Sequence, residues 1–208
     1  MKKILIVDDH EVVRAGVIKI VEQPGFVFAE AADADQALKL VREQDWDLAV
    51  LDISLGDRTG LELLKDLKQV RSKLPVLILS MHSEEQYARR AFQAGAAGYI
   101  TKDSPGEELV KAVKRVIEGG TYVTPAAAER LVMDLEKGLD RPLHYALSDR
   151  EFEVMRLIAA GRTVGEIAGL LELSDKTVST YRARILEKLG MKTNAEMIHY
   201  AIRNKLTD

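Results

Sequence analysis

Ile4-Leu5-Ile6-Val7-Asp8-Asp9 is the stretch on which the reading of this chain turns. Four apolar residues in a row, without polar alternation, suit a short strand covered on both faces, and two carboxylates end it. Working outward, similar runs occur at Phe26–Ala31, Leu48–Leu51, Val76–Leu79 and Gly98–Ile100. Between them, apolar residues recur at helical spacing: Leu61, Leu64 and Leu67; Tyr87, Ala88, Ala91 and Phe92; Leu109, Val113, Val116 and Ile117. Five strand–helix units predict an α/β fold, a doubly wound five-stranded parallel sheet that binds ligands beyond the C-terminal ends of its strands. Ser104-Pro105-Gly106-Glu107 predicts the start of the last helix, with a serine cap, proline at the first helical position and glutamate completing a capping box.

Gly119-Gly120 closes this first domain, residues 1–120. Thr124-Pro125 predicts a short helix to about Lys137, stopped at Gly138, and 138–146 read as linker, so 121–146 join two domains. From residue 147 the strand signal disappears. Ser148 with Glu151, Thr163 with Glu166 and Thr193 with Glu196 have capping-box spacing, and Ser174-Asp175 supplies another start, which predicts a small all-α, four-helix domain over 147–208. Within it, Val164–Leu171, a turn at Glu172–Ser174 and Asp175–Leu189 have the proportions of a helix-turn-helix. Ile167, Ala168, Leu171 and Leu173 would pack against Val178, Ile185 and Leu189. That leaves Lys176, Ser179, Thr180, Ala183, Arg184 and Glu187 outward, while Tyr181 and Arg182 compete for the edge of the core.

The 208 residues include no cysteine and carry a net charge of −3. Disulfides, thiolate zinc sites and cysteine nucleophiles are therefore excluded. No apolar run approaches membrane-spanning length, and Met1-Lys2-Lys3-Ile4-Leu5-Ile6-Val7-Asp8 meets carboxylates too early for a signal peptide. A soluble cytoplasmic protein with no membrane partner is expected. Residues 1–122 carry 17 basic and 20 acidic side chains, whereas 147–208 carry 10 and 9. In that last block Lys176, Arg182, Arg184, Lys188, Lys192, Arg203 and Lys205 face only Asp175, Glu187 and Glu196, a local basic surface suited to a polyanion.

The first strand ends in Asp8-Asp9 and the third in Asp52. Adjacent parallel strands lie about 4.8 Å apart, so these acids converge at one edge of the sheet. Three carboxylates repel one another unless a cation holds them, and an oxygen-only set with room for a phosphoryl group favours magnesium. Ser80 ends the fourth strand with a hydroxyl, and Thr101-Lys102 end the fifth with an ammonium. Together these groups are what transfer of a phosphoryl group to an aspartate needs. Singly, each has an ordinary reading: Asp8 or Asp9 as a helix cap, Asp52 as a loop carboxylate, Ser80 as a strand-end cap, Tyr99 as packing and Lys102 as a surface lysine.

Ile4-Leu5-Ile6-Val7-Asp8-Asp9-His10, Leu51-Asp52-Ile53, Leu79-Ser80 and Ala94-Gly95-Ala96-Ala97-Gly98-Tyr99-Ile100-Thr101-Lys102 resemble a response-regulator receiver over residues 1–119. Leu147-Ser148-Asp149-Arg150-Glu151 and the stretch 175–190 resemble the LuxR-type helix-turn-helix of NarL/FixJ regulators over 147–206. The resemblance implies a flavodoxin-like receiver with Asp52 as phosphoacceptor and a cognate sensor histidine kinase as donor. It implies Mg²⁺ organised by Asp8 and Asp9, with Asp52 and the Ser54 backbone carbonyl as further ligands. Ser80 and Tyr99 would form the switch pair, and Lys102 would contact the phosphoryl group. In the second domain it implies that Ser179, Thr180 and Ala183 face the bases of double-stranded promoter DNA. Lys176, Thr177, Arg182, Arg184 and Lys188 would then be the backbone contacts, with Ala195, Ile198, Ala201 and Ile202 pairing two copies in a homodimer formed on phosphorylation. Such a protein autodephosphorylates slowly but is not a turnover enzyme. Two departures stand out: Asp103 follows the lysine where many receivers have proline, and the loop Ser54–Gly60 has glycine where proline is frequent, so a looser loop is expected.

Two other classes are distinguishable. A Mg²⁺-dependent phosphatase resembling the haloacid dehalogenase group would carry its nucleophile on the first strand in an Asp-x-Asp motif. Here the first-strand acids are adjacent, and the matching nucleophile sits on the third strand. A second domain that binds RNA or protein would show no salt-dependent binding to DNA.

Overall fold

The opening apolar run forms β1 (Lys2–Val7) in the computed structural model, which describes residues 1–56, 58–125, 127–129 and 142–207. It is joined by β2 (Phe26–Ala31), β3 (Leu48–Leu51), β6 (Val76–Ser80) and β7 (Gly98–Thr101) in one parallel sheet of order β2-β1-β3-β6-β7. Helices α1 (Glu11–Val21), α2 (Ala34–Glu43), α3 (Gly60–Val70), α4 (Glu84–Gln93) and α5 (Gly106–Ile117) connect the strands. The strands match the apolar runs to within two residues because both faces are covered. Ile4, Ile6, Leu48, Val50, Leu77 and Leu79 pack with Val17 and Val21 of α1 and with Leu109, Val113 and Val116 of α5. On the other face, buried Leu5, Val7, Ala49 and Leu51 belong with the buried stripes of α2 and α3, Ala37, Leu38, Val41, Leu61, Leu64 and Leu67. Each such leucine contributes about 1.5–3 kcal/mol on burial.

One local expectation changes. Ser104 does not cap α5: its hydroxyl pairs with Thr101 Oγ1 at 2.9 Å, Pro105 is the N-cap residue, and the helix begins at Gly106. The loop after Asp52 also carries local pairing. Ser54–Leu55 (β4) and Arg58–Thr59 (β5) pair as a small antiparallel hairpin, Ser54 with Thr59 and Leu55 with Arg58. Gly56 takes φ +61° in its turn. Thr59 then caps α3 in a reciprocal box with Glu62.

The chain divides into two compact units, Met1–Asp134 and Leu135–Asp208. Of the helix expected from Thr124 to about Lys137, Pro125 and residues 127–129 are helical, and the rest lies outside the described residues. The expected linker ends in a 3₁₀ turn, Leu143–Ala146. Beyond it come α6 (Asp149–Ala159), α7 (Val164–Leu170), α8 (Asp175–Leu189) and α9 (Asn194–Arg203). Ser148–Glu151 and Thr163–Glu166 are reciprocal capping boxes. At Thr193 the hydroxyl accepts from the Glu196 amide, but the Glu196 carboxylate turns instead to the Lys192 amide at 2.9 Å. The turn between α7 and α8 is made at Glu172, in the left-handed region at φ +53°.

Gly60 ties the fold to the site. Its amide donates to the Ile53 carbonyl at 2.6 Å, and a Cβ added there would lie 1.9 Å from the Asp52 backbone oxygen. Gly60→Ala must therefore move the backbone that carries Asp52. We expect a loss of about 3 kcal/mol in urea unfolding of the first unit; a loss below about 1 kcal/mol would mean that the hairpin yields without cost.

Candidate functional site

The parallel register brings the strand ends together. Val7 pairs with Leu51, so Asp8 and Asp52 each stand one residue past a paired position, and the Asp52 amide donates to the Val7 carbonyl at 2.9 Å. Ser80 pairs with Thr101, which brings Lys102 out at the same edge. Its Nζ lies 2.6 Å from Asp8 Oδ2 and 2.7 Å from Asp52 Oδ2. Asp8 and Asp52 are each 3% exposed, and Lys102 is half-buried. Burial pushes the Asp52 carboxyl up to about 6, with Lys102 pulling it down and Asp8 pushing it up. Burial also works against the Lys102 charge, but its contacts with Asp52 and Asp8 outweigh that and hold the ammonium above its usual value. The other oxygen, Asp52 Oδ1, is buried with no hydrogen-bond partner among the described residues.

Asp9 sits at the rim, exposed, with Oδ1 2.6 Å from His10 Nδ1. The His10 amide donates to Asp8 Oδ1 at 2.9 Å. One ligand atom each from Asp8, Asp9 and His10 lie within 4.8 Å of one another. His10 was absent from the sequence-derived set, although its place directly after two acids was the signal available. Ser54, half-buried, sits two residues beyond Asp52, with its Oγ 3.5 Å from His82 Nε2.

The two residues expected to work as a pair meet on one backbone segment. Ser80 Oγ accepts from the His82 amide at 3.1 Å, and the Tyr99 hydroxyl donates to the His82 carbonyl at 2.8 Å. Both side chains are buried. The His82 ring stacks on Tyr87 of α4, with centroids 4.7 Å apart. His82 was not singled out from the sequence, because nothing local to it signals that two side chains from different strands hold its peptide groups.

In the second unit, Val178, Ile185 and Leu189 of α8 are buried, and Lys176, Ser179, Thr180, Arg182, Ala183 and Arg184 are exposed. The competition at the edge of the core is settled: Tyr181 is half-buried and Arg182 is outside. Thr177 is half-buried, and its amide donates to the Ser174 cap at 3.1 Å. Lys188 is exposed and also makes a contact within the unit. Its Nζ is 2.6 Å from Glu151 Oε2, an oxygen that also accepts from the Ser148 amide at 2.7 Å. Lys188 thus braces α8 against the cap of α6. Next to Glu151, Arg150 pairs with Glu153 at 2.7 Å and donates to the Leu171 carbonyl at the end of α7 at 2.9 Å. Consecutive residues of α6 therefore hold both helices of the motif. On α9, Ala195 and Ile202 are exposed and Ile198 is half-buried, but Ala201 is fully buried within the chain and is withdrawn from the pairing set.

Both units have known counterparts. Residues 4–114 match the response regulator receiver domain, and residues 145–201 match the luxR family of bacterial regulatory proteins. The chain is 38% identical to the virulence factors positive transcription regulator BvgA of Bordetella pertussis, covering 98% of each chain. It is 34% identical to the response regulator UvrY of Escherichia coli, over 99% of this chain and 96% of that one. Among solved structures, RcsB of Salmonella enterica serovar Typhimurium, bound to a promoter in the presence of the phosphomimetic BeF3⁻, aligns with a TM-score of 0.59 and 27% identity. That alignment covers 96% of this chain and 97% of that one.

Two outcomes follow from the electrostatics. Because its folded pKa is raised from 3.8 to about 6, the stability associated with Asp52 is present below pH 4 and lost as the pH rises through 6. In magnesium-free buffer at pH 7.5, Asp52→Asn should therefore stabilise the first unit by about 2 kcal/mol, with the gain gone by pH 4; equal stability at both pH values would remove the assigned cause. Glu151 has the opposite sign. Burial opposes its charge, but Lys188 and Ser148 hold its carboxyl below 4.5, so its contribution is present above that pH and is lost as the pH falls. Solvent on the Lys188 side limits the pair to about 1 kcal/mol. Lys188→Met should cost that much at pH 7 and little at pH 3.5, measured by urea unfolding.

Proposed function

Because the chain belongs to the NarL/FixJ-type two-component response regulators, which join a receiver to a LuxR-type DNA-binding domain and regulate transcription, we propose that Asp52 accepts a phosphoryl group from a cognate sensor histidine kinase and so controls DNA binding. The observation that carries this reading is the Lys102 bridge to Asp8 and Asp52, 2.6 and 2.7 Å long. It leaves one buried carboxylate oxygen of Asp52 without a hydrogen-bond partner among the described residues. That oxygen, with Asp8, Asp9 and the Ser54 backbone carbonyl, is a hard donor set that fits Mg²⁺. Bound there, Mg²⁺ would supply charge neutralisation for the phosphoryl oxygens.

The chain's own residues do the rest. An Asp52 oxygen attacks phosphorus in line, the bond to the donor histidine nitrogen breaks, and that nitrogen keeps its electron pair. Lys102 turns from the carboxylates to the charge gathering on the phosphoryl group. The Ser80 hydroxyl leaves the His82 amide to donate to a phosphoryl oxygen, and Tyr99 moves with the His82 segment. In the second unit, Ser179, Thr180 and Ala183 face bases, while Lys176, Thr177, Arg182, Arg184 and Lys188 meet phosphates. A dimer formed on phosphorylation, paired through Ala195, Ile198 and Ile202, grips two half-sites. Its setting is the cytoplasm, and the aspartyl phosphate is slowly hydrolysed with no small-molecule turnover.

Incubation with ³²P-labelled acetyl phosphate and Mg²⁺ should label the wild type and leave Asp52→Ala unlabelled. Labelling of the variant would place the acceptor elsewhere. In gel shifts on genomic fragments, phosphorylation should strengthen binding, and Arg184→Ala should weaken it about equally across sequences.

A further inference from the structure

The residues that follow α5 do not leave the first unit at once. The Tyr122 amide donates to the Ala97 carbonyl at 2.9 Å, and Tyr122 makes an isolated parallel bridge to Gly98, so the chain touches the edge of β7 at this residue. Gly98 makes this possible. A Cβ there would sit 2.9 Å from Leu77 Cδ1 and 3.1 Å from both the Tyr122 Cβ and the Tyr122 carbonyl oxygen, tighter than ordinary contact. Two side chains pin the segment. The Tyr122 hydroxyl donates to Glu108 in the first turn of α5, and the Thr124 hydroxyl donates to Glu84, the first residue of α4. Thr124 Oγ1 also accepts from the Ala127 amide at 3.3 Å, so the same hydroxyl starts the helical residues that lead out of the unit.

We propose that residues 121–124 are a strap that couples the position of α4 to the chain leaving the first unit, with Thr124 as the positioning residue. Glu84 stands two residues after His82, whose amide is held by Ser80 and whose carbonyl is held by Tyr99. Any event that draws the Ser80 hydroxyl away removes one of the contacts that position this segment and shifts the first turn of α4. Glu84 then no longer meets Thr124, the cap is lost, and the strap loosens from β7. The coupling rests on the reading of Asp52 given above, since phosphorylation is what draws Ser80 away.

Hydrogen–deuterium exchange on the full chain, with and without Mg²⁺ and beryllofluoride, tests it. Bound fluoride is read separately by ¹⁹F NMR. In the wild type, the amides of residues 122–128 should exchange slowly alone and about tenfold faster with the mimic bound, the effect of losing one buried hydrogen bond. Thr124→Val should exchange at the fast rate without the mimic, Thr124→Ser should restore protection, and Gly98→Ala should weaken it at the Tyr122 amide. A bound fluoride signal with unchanged exchange overturns the coupling and leaves the Asp52 site standing. No bound signal overturns both. Full protection in Thr124→Val overturns the role of the hydroxyl.

Discussion

The ammonium of Lys102 between the carboxylates of Asp8 and Asp52 is the interaction on which the first unit is organised. Two carboxylates at neighbouring strand ends, each nearly out of solvent, would repel one another and favour protonation. One half-buried cation holds them together, at the cost of keeping two carboxylates away from water. The strand order makes the contact demanding, because β1 and β3 are neighbours while β7 lies beyond β6. The lysine must reach across the end of β6, and that strand ends in a small residue, Ser80.

Around this cluster the backbone is held closely. Gly60 lies so near the Asp52 carbonyl that no side chain fits, and the β4–β5 hairpin fixes the chain between them. On the opposite side, the His82 peptide is gripped by hydroxyls from two strands. The backbone of the site is therefore constrained at Gly60 and, separately, at the His82 peptide. The second unit follows a similar economy. Arg150 and Glu151, adjacent on α6, hold the end of α7 and the far end of α8, so the exposed face of α8 is presented by buried charge as well as by apolar packing.

Much of this was legible along the chain. The strands could be read because a sheet covered on both faces requires unbroken apolar runs, and the helix-turn-helix because its capping residues and core spacing are local signals. Asp8, Asp52, Ser80 and Lys102 could be grouped because the doubly wound fold brings strand ends to one edge. Other contacts and placements were missed for a consistent reason. Lys188 reads only as a surface lysine of a basic helix until Glu151, thirty-seven positions earlier, is brought against it. Ala201 fits a pairing stripe until the domain core closes over it. Ser104 looks like a helix cap until Thr101 takes its hydroxyl.

The sequence by itself determined the order of strands and helices, the two-part organisation and the residue types gathered at the sheet edge. Periodicity, capping and strand-end chemistry are written within a few residues of one another. Only the tertiary structure decided which charge meets which. It set Lys102 between two particular carboxylates, joined Ser80 and Tyr99 through His82, and bridged Tyr122 to β7. Each of these depends on groups far apart in the chain meeting within about 3 Å, a distance at which hydrogen bonds and ion pairs are won or lost, and local pattern carries no information at that scale.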